Sequence, residues 1–145
     1  MKNFAIFLLL FALGLMATRT ARSHHSREAY FEMDIVMTLE DVTAISYRAA
    51  NPHSQLVFSV TDEHGNEVEW SGGALSASHL RRAGLPADLI KPGDKLTVTG
   101  SPSRDESNGM WVYYVILPNG DKADLFDAIR AGTDPIIPAG APGNP

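Results

Sequence analysis

The sequence contains no cysteine, which excludes disulfide frameworks, thiolate zinc sites and cysteine nucleophiles. Basic side chains are also scarce. Lys and Arg number 12 against 17 Asp and Glu, and the formal charge of −5 has the wrong sign for a partner gripped by its phosphates. The longest apolar run, Phe4 to Met16, has 13 residues and is too short to cross ~30 Å of hydrocarbon as a helix. What is present suffices for a folded body, since 44% of the residues are hydrophobic and 20% charged, in a chain of 145 residues that is about one domain long.

The N-terminus has the layout of a secretory signal peptide. Lys2 is the positive lead, Phe4 to Met16 the uncharged apolar run, and Ala17 to Ser23 the small, polar and basic segment that precedes cleavage. Residues 1–23 are therefore predicted to be removed, with small residues at −3 and −1 supplied by Ala21-Arg22-Ser23. A cut after Ala17 is the competing site. Removal of residues 1–23 takes away Lys2, Arg19 and Arg22 and no acid, which leaves 122 residues with 9 basic and 17 acidic groups, a charge of −8. The expectation is a periplasmic protein with His24 as its first residue, no stable membrane span and no nucleic-acid partner.

Residues 24–130 are predicted to fold and residues 131–145, rich in Pro and Gly (GTDPIIPAGAPGNP from Gly132), to form a flexible tail. Within the body the dominant period is two. Leu56, Phe58 and Val60 alternate with Val57, Ser59 and Thr61, and Asp62-Glu63-His64-Gly65-Asn66 turns that strand into a return strand through Val68 and Trp70. An earlier strand, about Met37 to Tyr47, changes apolar phase from Leu39 to Val42 and again at Ile45, as a bulged strand serving two faces of a small barrel does. Ser71-Gly72-Gly73 is read as a strand breaker, Ser76 as the cap of a short helix ended by Gly84 and Pro86, Leu96 and Val98 as inward positions of a fourth strand, and Met110 to Leu117 as a closing strand covered on both faces. Pro118-Asn119-Gly120-Asp121 turns into a last short strand ending at Leu125-Phe126. The predicted fold class is mainly β: a small five-stranded OB-like barrel with one short helix between strands 3 and 4, with a cut-open β-sandwich as the alternative. Trp70, Trp111 and Phe58 are large enough to fill its interior.

His24-His25-Ser26 behind the signal, a Tyr/Phe and an Asp soon after, Asn51-Pro52-His53, Leu80-Arg81-Arg82, Leu89-Ile90-Lys91-Pro92-Gly93-Asp94 and Thr97-Val98-Thr99-Gly100 together resemble a family of small exported bacterial proteins of uncharacterised function. The resemblance spans about His24 to Phe126. It implies a periplasmic OB-like barrel and assigns no activity.

The candidate chemistry lies in the histidines. A free N-terminal amine and the imidazole of the same residue chelate a metal, and one further imidazole completes a T-shaped three-nitrogen set suited to Cu(II), the tightest binder of the divalent series. His24 supplies the first two donors, and His25 or His53 the third. Pro52 fixes the backbone ahead of His53 at the start of a strand. Against this stands a plainer reading, in which the paired histidines are a frayed end and His53 bonds a neighbouring carbonyl. His64 and His79 read as solvated surface residues. Glu32 and Asp34 are near enough in sequence to orient an imidazole, or are plain surface charges.

Enzyme signatures are weak. No nucleophile elbow is present, and Glu67, Glu69, Asp88 and Asp94 fall on wet faces or turns without a pairing spacing. Gly72-Gly73 ahead of a helix is a weak anion-binding signal. Trp70, Trp111, Tyr113 and Tyr114 read mostly as core, with one or two able to line a groove. The expected function is a non-enzymatic periplasmic binding or accessory protein, with copper (Cu2+) held by His24 together with His25 or His53. The alternative is a metal-free protein- or ligand-binding adaptor using the barrel face, and a copper-dependent redox enzyme is the weakest reading.

Overall fold

The computed structural model describes residues 26–127 and 134–145; the apolar run, both candidate cleavage sites, His24 and His25 lie outside those residues. Among the described residues seven strands run in the order β1 (Met37–Arg48), β2 (Ser54–Thr61), β3 (Glu67–Ala74), β4 (Lys95–Pro102), β5 (Gly109–Ile116), β6 (Lys122–Asp124) and β7 (Ile136–Ile137), with one short α-helix, α1 (Ala77–Arg82), between β3 and β4. β1 pairs on one edge with β2 and on the other with β4, β2 continues to β3, β4 to β5, and a parallel pairing of β3 with β5 closes the ring. This is a five-stranded barrel with the OB strand order and its helix at the predicted point. Among the described residues no helix is long and apolar enough to cross a membrane.

The phase slips of β1 are where the barrel bends. Its register against β4 shifts between Leu39 and Val42, at Asp41 with φ +54°, and its register against β2 shifts between Ala44 and Ser46. Each extra residue kinks the strand and raises its twist, which lets one 12-residue strand serve two neighbours. Val42, Phe58, Val98, Val112 and Val115 are fully buried inside the ring, and Leu80 of α1 joins the same core with Leu85 and Ile90 behind it. The Ser76 side chain accepts the His79 N–H at 3.3 Å and starts the helix as expected.

Two expectations need correction. Ser71-Gly72-Gly73 does not break β3: the strand runs on to Ala74, and these three residues pair in parallel with Gly109, Met110 and Trp111 to close the barrel. The glycines are there for approach, because a Cβ on Gly72 would stand 2.6 Å from Val112 Cγ2 and one on Gly73 would stand 3.3 Å from the Trp111 ring. The backbone amides that a phosphate site would need belong instead to this strand edge. The second correction concerns the tail. Within 134–145 Ile136 and Ile137 form β7 and pair with Ala123 and Lys122 of β6, and the Asn144 amide donates to the carbonyls of Gly120 and Ile137 at 2.9 and 3.1 Å. Two apolar residues and one side-chain clasp are enough to hold the segment against a strand that β5 has already fixed.

Candidate functional site

His53 stands immediately before β2, at the end of a loop that is tied to the helix. The Asn51 side chain accepts from the backbone N–H and hydroxyl of Ser78 at 3.3 and 3.1 Å, and the Ala77 N–H donates to the Ala50 carbonyl at 2.8 Å. Asn-Pro-His thus joins α1 to β2 and leaves the imidazole exposed on the outside of the barrel. The His53 ring meets Trp111 of β5 edge to face, with centroids 5.2 Å apart and planes at 88°. Gly73 makes room for the indole, which is 3% exposed.

The first described residues come to the same place. A 3-10 turn, Arg27–Ala29, is followed by a bridge from Phe31 to Ser103 and by hydrogen bonds from Glu32 N to the Pro102 carbonyl and from Arg104 N to the Tyr30 carbonyl, both 2.9 Å. Arg104 adds a second tie, donating through Nε to the Glu28 carbonyl at 2.8 Å and pairing with the Glu32 carboxylate at 2.9 Å. Arg27 lies over two aromatic rings, 5.3 Å from the Trp111 centroid and 4.7 Å from that of Phe126. Between these elements is a groove of about 420 Å³, lined by Ser26, Arg27, Tyr30, Phe31, His53 and Trp111 among others. It runs into a second depression of about 380 Å³ across Phe31, His53 and Gly73, with Arg48 on its far side.

Two buried polar atoms have no hydrogen-bond partner among the described residues, the Trp111 indole N–H and the Tyr47 hydroxyl. Burial pushes the Tyr47 phenol pKa above its ordinary value, offset in part by the nearby Ser54 hydroxyl. At the mouth of the β4–β5 loop, hydrogen bonds from the hydroxyls of Ser107 and Ser103 and from the Ser107 N–H hold the Asp105 carboxyl down at about 2.

Of the candidate ligands His53 is in the groove, while His24 and His25 lie outside the described residues. Glu32 is engaged by Arg104 and Asp34 is exposed, so neither is seen orienting His53. His64 sits exposed in the β2–β3 hairpin and His79 is exposed on α1, bonded to the Ser76 hydroxyl at 2.7 Å. Among the described residues no three His, Cys, Asp or Glu side chains come together as a metal site. Trp111 is both core and groove floor. Trp70 packs against Phe58, Tyr113 bonds Ser101, and Tyr114 lies beneath the Lys122 ammonium. Sequence reasoning missed Arg27 and Phe31 as groove residues and Phe126 as a ring beneath Arg27, since nothing in a linear pattern joins an N-terminal arginine to rings late in the chain.

A closed barrel of OB strand order, carrying an aromatic groove where its N-terminal segment meets a histidine ahead of β2, is the class the fold and site define. The model of a family of unknown function, DUF6152, matches residues 13–111, and the chain belongs to that family. No curated protein and no solved structure matches it.

Proposed function

We propose that the protein is exported to the periplasm, loses residues 1–23, and binds Cu(II) as a non-enzymatic buffering or accessory protein. The donors are the His24 amine, the His24 imidazole and the His53 imidazole, with His25 as the other source of the third nitrogen. The observation that carries this reading is that Ser26 and His53, far apart in sequence, line one groove. The reading requires the chain from Ser26 back to His24, with a reach of at most about 7 Å, to bring the new N-terminus to the His53 ring. Three nitrogen donors without a thiolate suit Cu(II) above the other divalent ions of the series, and the chain has no cysteine to compete.

A metal-free adaptor is the second reading. It draws on Arg27 and Arg48 lining the two depressions, which no Asp or Glu among the described residues lines, and it would favour an anionic ligand. Cu(II) titration of the exported protein separates the two, once N-terminal sequencing has shown its first residue. The copper reading expects His24→Ala and His53→Ala each to weaken binding at least about tenfold, which is about 1.4 kcal/mol. Binding that is unchanged in both variants, or absent from the unaltered protein, would refute it.

A further inference from the structure

We infer that the groove between Arg27 and His53 binds a small organic anion, a carboxylate carried on a flat aromatic body, with Arg27 and His53 on the carboxylate and Phe31 and Trp111 against the body. The inference rests on the metal-free reading above and names its ligand.

Charge complementarity carries it. The chain has a formal charge of −5, yet Arg27 and Arg48 line the two adjoining depressions and no Asp or Glu among the described residues does. Residues 1–25 and 128–133 contain no acid at all. The ion pairs among the described residues are Lys95–Asp41 and Arg104–Glu32, so neither groove arginine has a carboxylate partner there. Glu28 and Asp105 are bonded to lining serines, Ser26 for the first and Ser103 and Ser107 for the second, and Glu32 is bonded to Arg104. Each of these acids therefore already has a donor of its own.

Arg27 is held in a form suited to a carboxylate. Its guanidinium lies over the rings of Trp111 and Phe126, at 5.3 and 4.7 Å from their centroids. A guanidinium lodged against rings loses little hydrogen-bonding capacity, because its N–H donors radiate in its own plane and match the two oxygens of a carboxylate. The backbone behind it is fixed, since the Arg27 carbonyl accepts from Tyr30 N at 3.0 Å and Phe31 N at 2.9 Å. Ordering the arginine before the ligand arrives spares part of the entropy cost of binding. The same indole carries the His53 ring at 5.2 Å, which brings a second nitrogen donor to the groove.

The aromatic side sets the body of the ligand. Phe31 and Trp111 line a space of about 420 Å³, which falls in the usual range for small-molecule sites and has room for two fused rings. The adjoining depression of about 380 Å³, with Arg48 on its wall, admits further polar substituents.

The test uses naphthoate as the probe, naphthalenemethanol as its uncharged counterpart and hexaglutamate as an anion without a ring. Each is titrated, with a metal chelator present, into the protein and into R27A, R27K, H53A and K95A. The last is a charge control, because Lys95 pairs with Asp41 and lines neither depression. Calorimetry gives the affinities, and the NMR signal of the Trp111 indole N–H reports whether the groove is the place.

Naphthoate is expected to bind and move the Trp111 signal, and naphthalenemethanol to bind at least about tenfold more weakly. R27A should lose about tenfold in naphthoate affinity, as fits a charge-assisted hydrogen-bonded pair. R27K, which keeps the charge without the planar fork, should fall between R27A and the unaltered protein, H53A should also weaken binding, and K95A should not. Equal affinity for naphthoate and its alcohol, or unchanged naphthoate binding in R27A, would overturn the inference. Hexaglutamate bound and lost in R27A, with no binding of naphthoate, would overturn the ligand class and leave the metal-free reading standing. If neither anion binds, the inference and that reading fall together.

Discussion

The imidazole of His53 and the indole of Trp111 stand edge to face, 5.2 Å apart, on the outer wall of a closed barrel. One ring is exposed and the other buried, so the pair should be asymmetric in its energetics. His53→Ala removes only the edge contact and is expected to cost about 0.5–1.5 kcal/mol. Trp111→Ala empties a buried site and is expected to cost about 3–5 kcal/mol. Denaturant unfolding checks both, and a His53 cost equal to that of Trp111 would mean that the histidine is a core residue rather than a free ligand.

Barrel closure makes a second, graded prediction. A methyl group at Gly72 presses on the Val112 side chain at 2.6 Å, and one at Gly100 collides with the backbone carbonyl of Trp111. A packed core yields to the first at about 1–3 kcal/mol. It has no comparable way to yield to the second, because a strand backbone must move. Gly72→Ala is therefore expected to fold with a lowered melting temperature and Gly100→Ala to lose the cooperative transition; the reverse order would contradict the packing of β5 against its two neighbours β3 and β4.

Ser101 is the polar exception inside the wall. Its buried hydroxyl donates to the Ile35 carbonyl at 2.8 Å and shares a hydrogen bond with the Tyr113 hydroxyl. Ser101→Ala strands both partners and is expected to cost about 1–3 kcal/mol. Adding Tyr113→Phe should recover part of that loss, which a double-mutant cycle of unfolding free energies measures.

The β4–β5 loop carries a pH dependence of definite sign. The hydroxyls and N–H that bond Asp105 favour its charged form and lower its pKa from 3.8 to about 2. A group depressed on folding contributes its stability above the unfolded value and loses it as the pH falls through the folded one. The loop should thus keep its order at pH 4 and above, and lose it as the pH falls through about 2. An NMR titration of the Asp105 carboxyl, together with amide exchange at Ser107, follows this; a midpoint near 3.8 would contradict the serine contacts, and Asp105→Asn should abolish the dependence.

Much of the barrel was legible in the sequence because its physics is local. The alternation in β2, the Asp62–Asn66 turn, the Ser76 cap and the slipped phase of β1 each reflect neighbours a few residues apart, and the structure has them where the pattern put them. Gly72-Gly73 was misread because two adjacent glycines are usually a break, and only the arrival of Val112 and Trp111 from another strand turns them into a closure. β7 was missed because two isoleucines among prolines have no period. The Asn-Pro-His setting singled out His53, which lines the groove, whereas the Arg27 stack on Trp111 and Phe126 depends wholly on the folded chain.

The central claim is that a free amino group on His24 belongs to a copper site completed beside the barrel. Its most direct test is a Cu(II) titration of the processed protein beginning at His24 against the same protein with one glycine placed ahead of that histidine. The expected result is one tight site in the first and an affinity at least about tenfold lower in the second, about 1.4 kcal/mol, since the added residue moves the amine away from the ring. Equal affinity in the two proteins would contradict the claim.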